Sequence, residues 1–375
     1  MSMINSTHCR CCHLVGSLPL ESESVALKTC IEKFGILLKT IPDGEIGEKS
    51  ERFTGGDRQS WVQIIIKRIL DHFTDKWYSL PMKETPVLNE KGFPVDFKYL
   101  PEFRPKSWST GFILDMPLTY LEYFEKSFPT FKKLASENNL KSNVKFQVGI
   151  PTGLAISLSL TKSLFWSWWT YKSFNDRIAY EVNEMKKISI KESGTVDFVV
   201  QIELPIEFTM YYQFPLFRMW AMESISHLVS KIDKDIPIGF HICLGDINNK
   251  ASINLSKDEN VQSIVNFSNN LVYIFPYDRS IEFIHLPLAE GDIEPSVDRK
   301  FYEPLGDLNN QIQYHAGFIH EKSSKENQSL ILKHISDICK SFKYPIGVAT
   351  SCGLGRRSEE VCCSILEDMK RLCLE

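Results

Sequence analysis

The stretch PIGFHICLGD, residues 237–246, has the pattern of a buried strand that also carries reactive side chains. Side chains alternate between the two faces of a strand, so residues two positions apart share a face. Phe240, Ile242 and Leu244 share one apolar face, and a buried core explains that face. His241 and Cys243 lie together on the other face, which an apolar core does not explain. The stretch therefore predicts a strand with one structural face and one functional face.

Short apolar segments recur along the chain, and helical patterns separate most of them. Their lengths suit strands, and several end in Gly, Pro or Asp. Eight strands that alternate with helices predict a single (β/α)8 barrel over residues 1–375. The predicted strand segments are HLVGSLP (13–19), TIPDGEIG (40–47), VKFQVGIP (144–151), VDFVVQIELP (196–205), PIGFHICLGD (237–246), SIEFIHLP (280–287), IQYHAGFIH (312–320) and YPIGVATSCGLG (344–355).

The longest interval between two predicted strands covers residues 48–143, and we predict an insertion there, after the second strand. It contains the helical stretch SWVQIIIKRILDHF (60–73) and a Pro-rich loop near LPMKETPVLNEKGFP (80–94). The active sites of such barrels lie at the carboxyl ends of the strands. We therefore expect the insertion to cover part of that mouth.

The composition is typical of a soluble protein with a sizeable core. Of the 375 residues, 43% are hydrophobic and 24% are charged, with a net charge of −4. This balance indicates neither a nucleic-acid partner nor a membrane partner, and no apolar run approaches the roughly 20 residues of a membrane helix. The N-terminal stretch lacks the apolar core of a signal peptide. We therefore expect a cytoplasmic protein whose ten cysteines are reduced or bind metal.

The segment HCRCCH (8–13) is rich in potential metal ligands. It precedes the first predicted strand, so it would lie at the bottom of the barrel, away from the face where barrel enzymes carry their chemistry. We predict a frayed tail there rather than a metal site.

The polar residues at the predicted strand ends suggest zinc, which binds thiolate, imidazole and carboxylate groups, usually four of them. His241 and Cys243 would supply two ligands from one strand. Cys352 ends the last predicted strand, and Glu282 is placed at the end of the sixth. Core packing remains an alternative for the H-x-C pair alone, because free cysteine is often buried as a small hydrophobe.

These motifs resemble, in the same order and over almost the whole chain, the single-barrel relatives of cobalamin-independent methionine synthase. The superfamily to which these relatives belong also includes uroporphyrinogen decarboxylase. GFHICLGD is similar to the family's H-x-C zinc strand, SIEF to the strand with the zinc glutamate, and TSCGLGRRSEEV to the segment with the last zinc cysteine. The resemblance implies zinc as cofactor, with His241, Cys243, Glu282 and Cys352 as its ligands.

The resemblance also implies a set of substrate contacts. LVGSLPL is similar to the segment that holds the amino-acid substrate, here Gly16 and Ser17, and IPDGEIGE to the segment whose glutamate contacts its amino group, here Glu45. VVQIELP supplies Glu203 as a second amine contact, although the family has Asp then Glu where this chain has Glu203 then leucine. GFIH resembles the strand with the proton-donating histidine, which implies His320 as the catalytic acid.

The resemblance thus implies a zinc-dependent methyltransferase that activates a small-molecule thiol, homocysteine or a related compound, as a zinc thiolate. The methyl donor is left open: a folate, a corrinoid or another compound. One alternative is a different enzyme on the same scaffold, performing a non-methyl group transfer or a lyase reaction. The other is a non-catalytic relative that binds a small ligand, since a fold does not fix a function.

Overall fold

Eight parallel strands form a nearly closed barrel at the centre of the computed structural model, which describes residues 10–51, 53–82, 84–140, 143–245, 247–255 and 259–375. The barrel strands are β1 (Cys12–His13), β2 (Thr40–Pro42), β5 (Lys145–Pro151), β6 (Phe198–Glu203), β7 (Ile238–His241), β8 (Ile281–Pro287), β9 (Tyr314–Ile319) and β10 (Gly347–Thr350). Their order around the barrel is β1-β10-β9-β8-β7-β6-β5-β2, and a parallel bridge from Cys12 to Leu38 joins β1 to the chain just before β2. Each overlaps one predicted segment, so the predicted (β/α)8 barrel is confirmed.

Helices surround the barrel, and hydroxyl side chains cap several of them. Ser22, Thr152, Ser163, Ser324 and Ser358 each accept a hydrogen bond from a backbone N–H in the first turn, which satisfies a group that the helix leaves unpaired. The helices are α1 (Glu23–Phe34), α2 (Trp61–His72), α3 (Tyr120–Glu137), α4 (Gly153–Thr161), α5 (Leu164–Ser193), α6 (Pro205–Gln213), α7 (Arg218–Lys231), α8 (Gln262–Ile274), α9 (Arg299–Tyr302), α10 (Lys325–Ile338) and α11 (Glu359–Leu374). None of the helices in the described part of the chain is long and apolar enough to cross a membrane.

The interior of the barrel is polar in part, which is unusual because such interiors are usually filled by branched apolar side chains. The rings of His13 and His315 stack with their centroids 4.6 Å apart, and His13 Nε2 donates to Gln201 Oε1 at 2.9 Å. Gln147 Nε2 in turn donates to the carbonyl oxygens of Leu14 and Val15, both at 2.9 Å. Burial lowers the pKa of His13 to about 3, so the ring is neutral at physiological pH.

The segment HCRCCH is only partly described, because His8 and Cys9 lie outside the described residues. Cys12 and His13 form β1, and together with Cys11 they are buried. The prediction of a frayed tail is therefore wrong for these three residues. The first strand begins one residue earlier than predicted, and His13 fills the barrel interior.

The interval 48–143 holds α2, a two-stranded antiparallel sheet and α3. The sheet, β3 (Trp77–Ser79) with β4 (Phe103–Pro105), had no counterpart among the predicted elements. Helix α3 packs against α1 and α5 and belongs to the outer ring. Lys91 Nζ donates to the carbonyl oxygens of Gly355 and Arg357 at 2.6 and 2.8 Å, which ties this interval to the loop after β10.

A carboxyl group is buried in the first turn of α6. Glu207 has no exposed surface, and the Thr152 hydroxyl donates to its Oε1. Burial raises the pKa of Glu207 from an ordinary 4.5 to about 7, although the bond from Thr152 opposes the shift. The folded protein therefore holds this proton more tightly than the unfolded chain does.

Replacing Glu207 with Gln should remove a pH-dependent loss of stability. Below pH 4.5 both states are protonated, whereas between pH 4.5 and about 7 the unfolded chain ionises first and folding loses free energy. From pH 5 to pH 8 the wild type should lose up to about 3 kcal/mol relative to Glu207→Gln, at about 1.4 kcal/mol per pKa unit. Urea unfolding at both pH values measures this, and a constant difference between the proteins would contradict it.

Candidate metal centre and substrate cavity

Three potential metal ligands converge at the carboxyl end of the barrel. His241 ends β7, Cys243 follows two residues later, and Cys352 follows β10 by two residues. One ligand atom from each lies within 4.8 Å of the other two, and Cys352 Sγ is 3.8 Å from His241 Nε2. His241 and Cys243 are buried and Cys352 is partly exposed. The structure thus brings together three of the four predicted zinc ligands.

Local structure explains why these side chains meet. His241 and Cys243 stay on one side of the strand path because they are two residues apart. The loop after β10 is fixed by two hydrogen bonds, from Thr350 Oγ1 to the Cys352 carbonyl oxygen at 2.8 Å and from Leu354 N to the Ser17 carbonyl oxygen at 2.7 Å. Cys352 therefore projects from a short, anchored turn.

The donor set fits a zinc ion. Zinc takes imidazole nitrogen at about 2.0–2.1 Å and thiolate sulfur at about 2.3 Å, so two ligands of one tetrahedral ion lie roughly 3.5–4 Å apart. The separation of 3.8 Å between Cys352 Sγ and His241 Nε2 agrees with that spacing. Three protein ligands also leave a fourth position for water or substrate, as in catalytic zinc sites.

The three ligands line a cavity of about 140 Å³, to which six of the eight predicted strand segments contribute residues. All four predicted substrate contacts, Gly16, Ser17, Glu45 and Glu203, lie in its wall. Ser17 Oγ also accepts a hydrogen bond from Gly355 N at 3.3 Å. The interval 48–143 completes the wall with Arg58, Gln59, Ser60, Trp61, Val62, Gln63, Ile64, Asn89, Lys91, Phe93, Pro94, Phe97, Leu100, Thr119, Tyr120 and Tyr123.

Two carboxyl groups meet over Gly149. A Cβ atom at Gly149 would lie 2.7 Å from Glu45 Oε1 and 3.0 Å from Glu203 Oε1, so only glycine leaves room for both groups. A Cβ at Gly16 would lie 2.5 Å from the same Glu45 oxygen. Glu45 also has a left-handed backbone, with φ of 50°, a conformation that is uncommon for a non-glycine residue.

The carboxyl pair is poised to receive a cation. Burial raises the pKa of Glu45 to about 7, Asp43 adds to the shift, and Arg58 opposes it. Burial, followed by the charge of Glu45, raises the pKa of Glu203 well above its ordinary value. Two acids this close cannot both ionise without compensation. A ligand with a positive group between them would supply that compensation.

Two other polar residues of the cavity wall, Arg58 and Tyr120, are not marked by any sequence motif. Arg58 Nη1 donates to Asp43 Oδ2 at 2.7 Å, and its guanidinium lies 4.3 Å from the centre of the Tyr123 ring. The hydroxyl of Tyr120 is buried in the wall and has no hydrogen-bond partner among the described residues. Neither residue stands in a motif that would have marked it, because both come from the interval 48–143.

Glu282 does not join the group of ligands, and its predicted place at the end of the sixth strand is wrong. Strand β8 begins at Ile281 and runs to Pro287, so Glu282 is the second residue of the strand. Its side chain is exposed beside Lys39 and Tyr344, at the amino end of the barrel. His285, three residues later, is the polar side chain of β8 that reaches His241, with the two Nδ1 atoms 2.8 Å apart.

His320 lies directly after β9 and is buried, but it is absent from the described residues that line the cavity. Its Nδ1 accepts a hydrogen bond from Lys322 N at 3.1 Å and lies 3.7 Å from Glu321 Oε2. Burial lowers the pKa of His320 despite the nearby Glu321. The structure therefore places the predicted proton donor, His320, in the loop that follows β9 and not in the cavity wall.

Comparisons with known proteins give a likeness in structure only. No protein-family model and no curated protein sequence matches this chain. Among solved structures, a methyltransferase from Methanosarcina mazei is similar, with a TM-score of 0.49 and 10% sequence identity. The match covers 97% of this chain and 94% of that chain. A likeness of this degree carries no inference about activity.

Cys352→Ser should lose most of the bound zinc, because it removes one of three ligands. The purified wild type should contain about one zinc per chain, as a single site of three ligands predicts. Cys363→Ser is the matched control, since Cys363 is exposed on α11 away from the cavity. Mass spectrometry gives the zinc content per chain of the wild type and of the two variants. Equal zinc in both variants, or none in the wild type, would contradict the site.

Proposed function

We propose that the protein is a zinc-dependent methyltransferase that acts on a small-molecule thiol, homocysteine or a related amino thiol. The observation that carries the proposal is the meeting of two kinds of group in one cavity. Soft ligands suited to zinc and a thiol, His241, Cys243 and Cys352, line the same wall as the carboxyl pair of Glu45 and Glu203. A substrate with a sulfur at one end and an ammonium group at the other matches both.

His241, Cys243 and Cys352 would hold the ion. When bound, zinc would lower the pKa of a coordinated substrate thiol, so that the sulfur is present as the nucleophilic thiolate. Glu45 and Glu203 would accept hydrogen bonds from the substrate ammonium and so fix the direction of its chain. Arg356 lines the same cavity and would offer positive charge to a substrate carboxylate, whereas Arg58 is paired with Asp43 and Glu23.

Methyl transfer forms a bond from the substrate sulfur to carbon and breaks the bond from that carbon to the donor, which keeps the electron pair. The preference for methyl transfer over other reactions of an activated thiol is supported by the order of the motifs in the sequence. The cavity geometry supports the thiol and the amine. The chemical class of the donor stays open, and His320 stays a prediction as its proton source.

Binding of a thiol to the zinc-loaded protein should release about one proton, because a free thiol with a pKa near 8.5 is mostly protonated at pH 7. The probe is 4-mercaptobutyrate, which is homocysteine without its amino group and therefore leaves the protons of Glu45 and Glu203 out of the count. Isothermal titration in two buffers of different ionisation enthalpy gives the number of protons. Binding without proton release, or no binding, would remove the thiol from the proposal.

Glu45→Gln should keep the zinc and weaken homocysteine specifically. A hydrogen bond to a charged group is worth about 1.5–3 kcal/mol, so the loss should be about 10- to 100-fold. Binding of 4-mercaptobutyrate should barely change. In the wild type, the preference for homocysteine over 4-mercaptobutyrate should increase as the pH rises through about 7, where Glu45 ionises, and the variant should lack this increase.

Glu48→Gln, which changes an exposed carboxylate three residues away, is the control for Glu45→Gln. Dissociation constants of both ligands, measured across this pH range for all three proteins, give the comparison. If Glu45→Gln weakens the two thiols equally, Glu45 does not hold the ammonium group, although the zinc and thiol parts of the proposal would stand.

A further inference from the structure

A second buried histidine links the two strands that carry the metal ligands. His285 Nδ1 lies 2.8 Å from His241 Nδ1, and His285 Nε2 lies 2.8 Å from the carbonyl oxygen of Thr350. Both rings are almost fully buried, with 1% of His241 and none of His285 exposed. The second nitrogen of His241, Nε2, faces Cys352 Sγ at 3.8 Å.

The chemistry of these groups allows one arrangement of hydrogens. A carbonyl oxygen only accepts, so His285 Nε2 must carry the hydrogen that it donates to Thr350. In a neutral ring the other nitrogen is then an acceptor, so His285 Nδ1 receives a hydrogen from His241 Nδ1. Nε2 of His241 is left with its lone pair directed at Cys352. The separation of 2.8 Å between the two Nδ1 atoms agrees with this arrangement, because one of them must lack a hydrogen for the contact to form.

We propose that His285 is a positioning residue that holds His241 in the Nδ1–H form and so presents Nε2 as the metal ligand. The inference rests on the metal site of the proposed function and is independent of the methyl donor and of the thiol. Ligating histidines commonly donate their second N–H to a neighbouring acceptor, which fixes the ring and makes the ligating nitrogen more basic. Here the acceptor is another histidine rather than a carboxylate.

The link also couples the positions of two ligands. Thr350, whose carbonyl oxygen anchors His285, is two residues before Cys352 on the same chain segment. Its hydroxyl donates to the Cys352 carbonyl oxygen at 2.8 Å. One short segment therefore fixes Cys352 directly and His241 through His285. A shift of the β10 end would move both ligands together.

The first test reads the hydrogens directly in the metal-free wild type. Two-bond ¹H–¹⁵N correlation spectra of protein labelled with ¹⁵N-histidine distinguish the two neutral forms of each ring. His241 should be in the Nδ1–H form, which free histidine disfavours, and His285 in the Nε2–H form. Single His→Gln replacements among the nine histidines assign the signals. An Nε2–H form of His241 in the wild type would overturn the proposal.

The second test measures zinc affinity by competition with a chromophoric chelator. His285→Phe keeps a flat ring but removes the acceptor, and should weaken zinc binding about 10- to 100-fold, the usual cost of losing such a partner. His285→Asn retains an oxygen near the position of Nδ1 and should recover part of the affinity. His315→Phe is the matched control, because His315 is equally buried in the barrel but stacks on His13 instead of contacting a ligand.

The two tests separate this proposal from the proposed function. If the wild type has the expected hydrogen positions on His241 and His285 yet binds no zinc, the metal site is overturned. The assignment of the two neutral ring forms then still stands. If the wild type binds zinc and His285→Phe binds it as tightly as His315→Phe does, the positioning role is overturned while the metal site stands. Should His285→Phe fail to fold, the spectra of the wild type still decide the first question.

Discussion

The parallel pairing of β7 with β8 is the constraint on which the site depends. Its register places His241 beside His285, but the two strands do not pair evenly along their length. Ile238 pairs with Ile281 and Phe240 with Ile284, so β8 contains one more residue than β7 over this interval. Without that extra residue the later side chains of β8 would exchange faces. Because of this bulge, His285 and not one of its aliphatic neighbours lies beside His241.

Short strands on the other side of the barrel need support of a different kind. Strand β1 has only two residues, and the segment that contains Gly16 and Ser17 follows it closely. Side chains replace the missing strand pairing there, because Gln147 and Gln201 donate to the carbonyl oxygens just before Gly16, with Gln201 Nε2 2.6 Å from the Val15 oxygen. The polar interior of the barrel thus holds the cavity wall in place, and this accounts for glutamines at positions that barrels usually fill with aliphatic residues.

The strands and half of the site could be predicted from the sequence because they depend on local patterns. Alternation within PIGFHICLGD placed His241 and Cys243 on one face, and the position of Cys352 after an apolar run placed it at the mouth. The position of Glu282 could not be predicted from the short match SIEF, because β8 continues for five residues beyond Glu282. His285, in the carboxyl half of the same strand, is the polar side chain that reaches His241. Tyr120 and Arg58 could not be found, because their arrival at the cavity depends on long-range packing.

The contact between Lys91 and the loop after β10 has a consequence for how such a protein diversifies. Lys91 binds main-chain oxygens of Gly355 and Arg357, so these two hydrogen bonds do not depend on which side chains the loop carries. Changes in the loop sequence and changes in the interval 48–143 can therefore accumulate separately during evolution, as long as one long cation is retained. The rim of the cavity can then change in shape and charge while His241, Cys243 and Cys352 below it stay as they are.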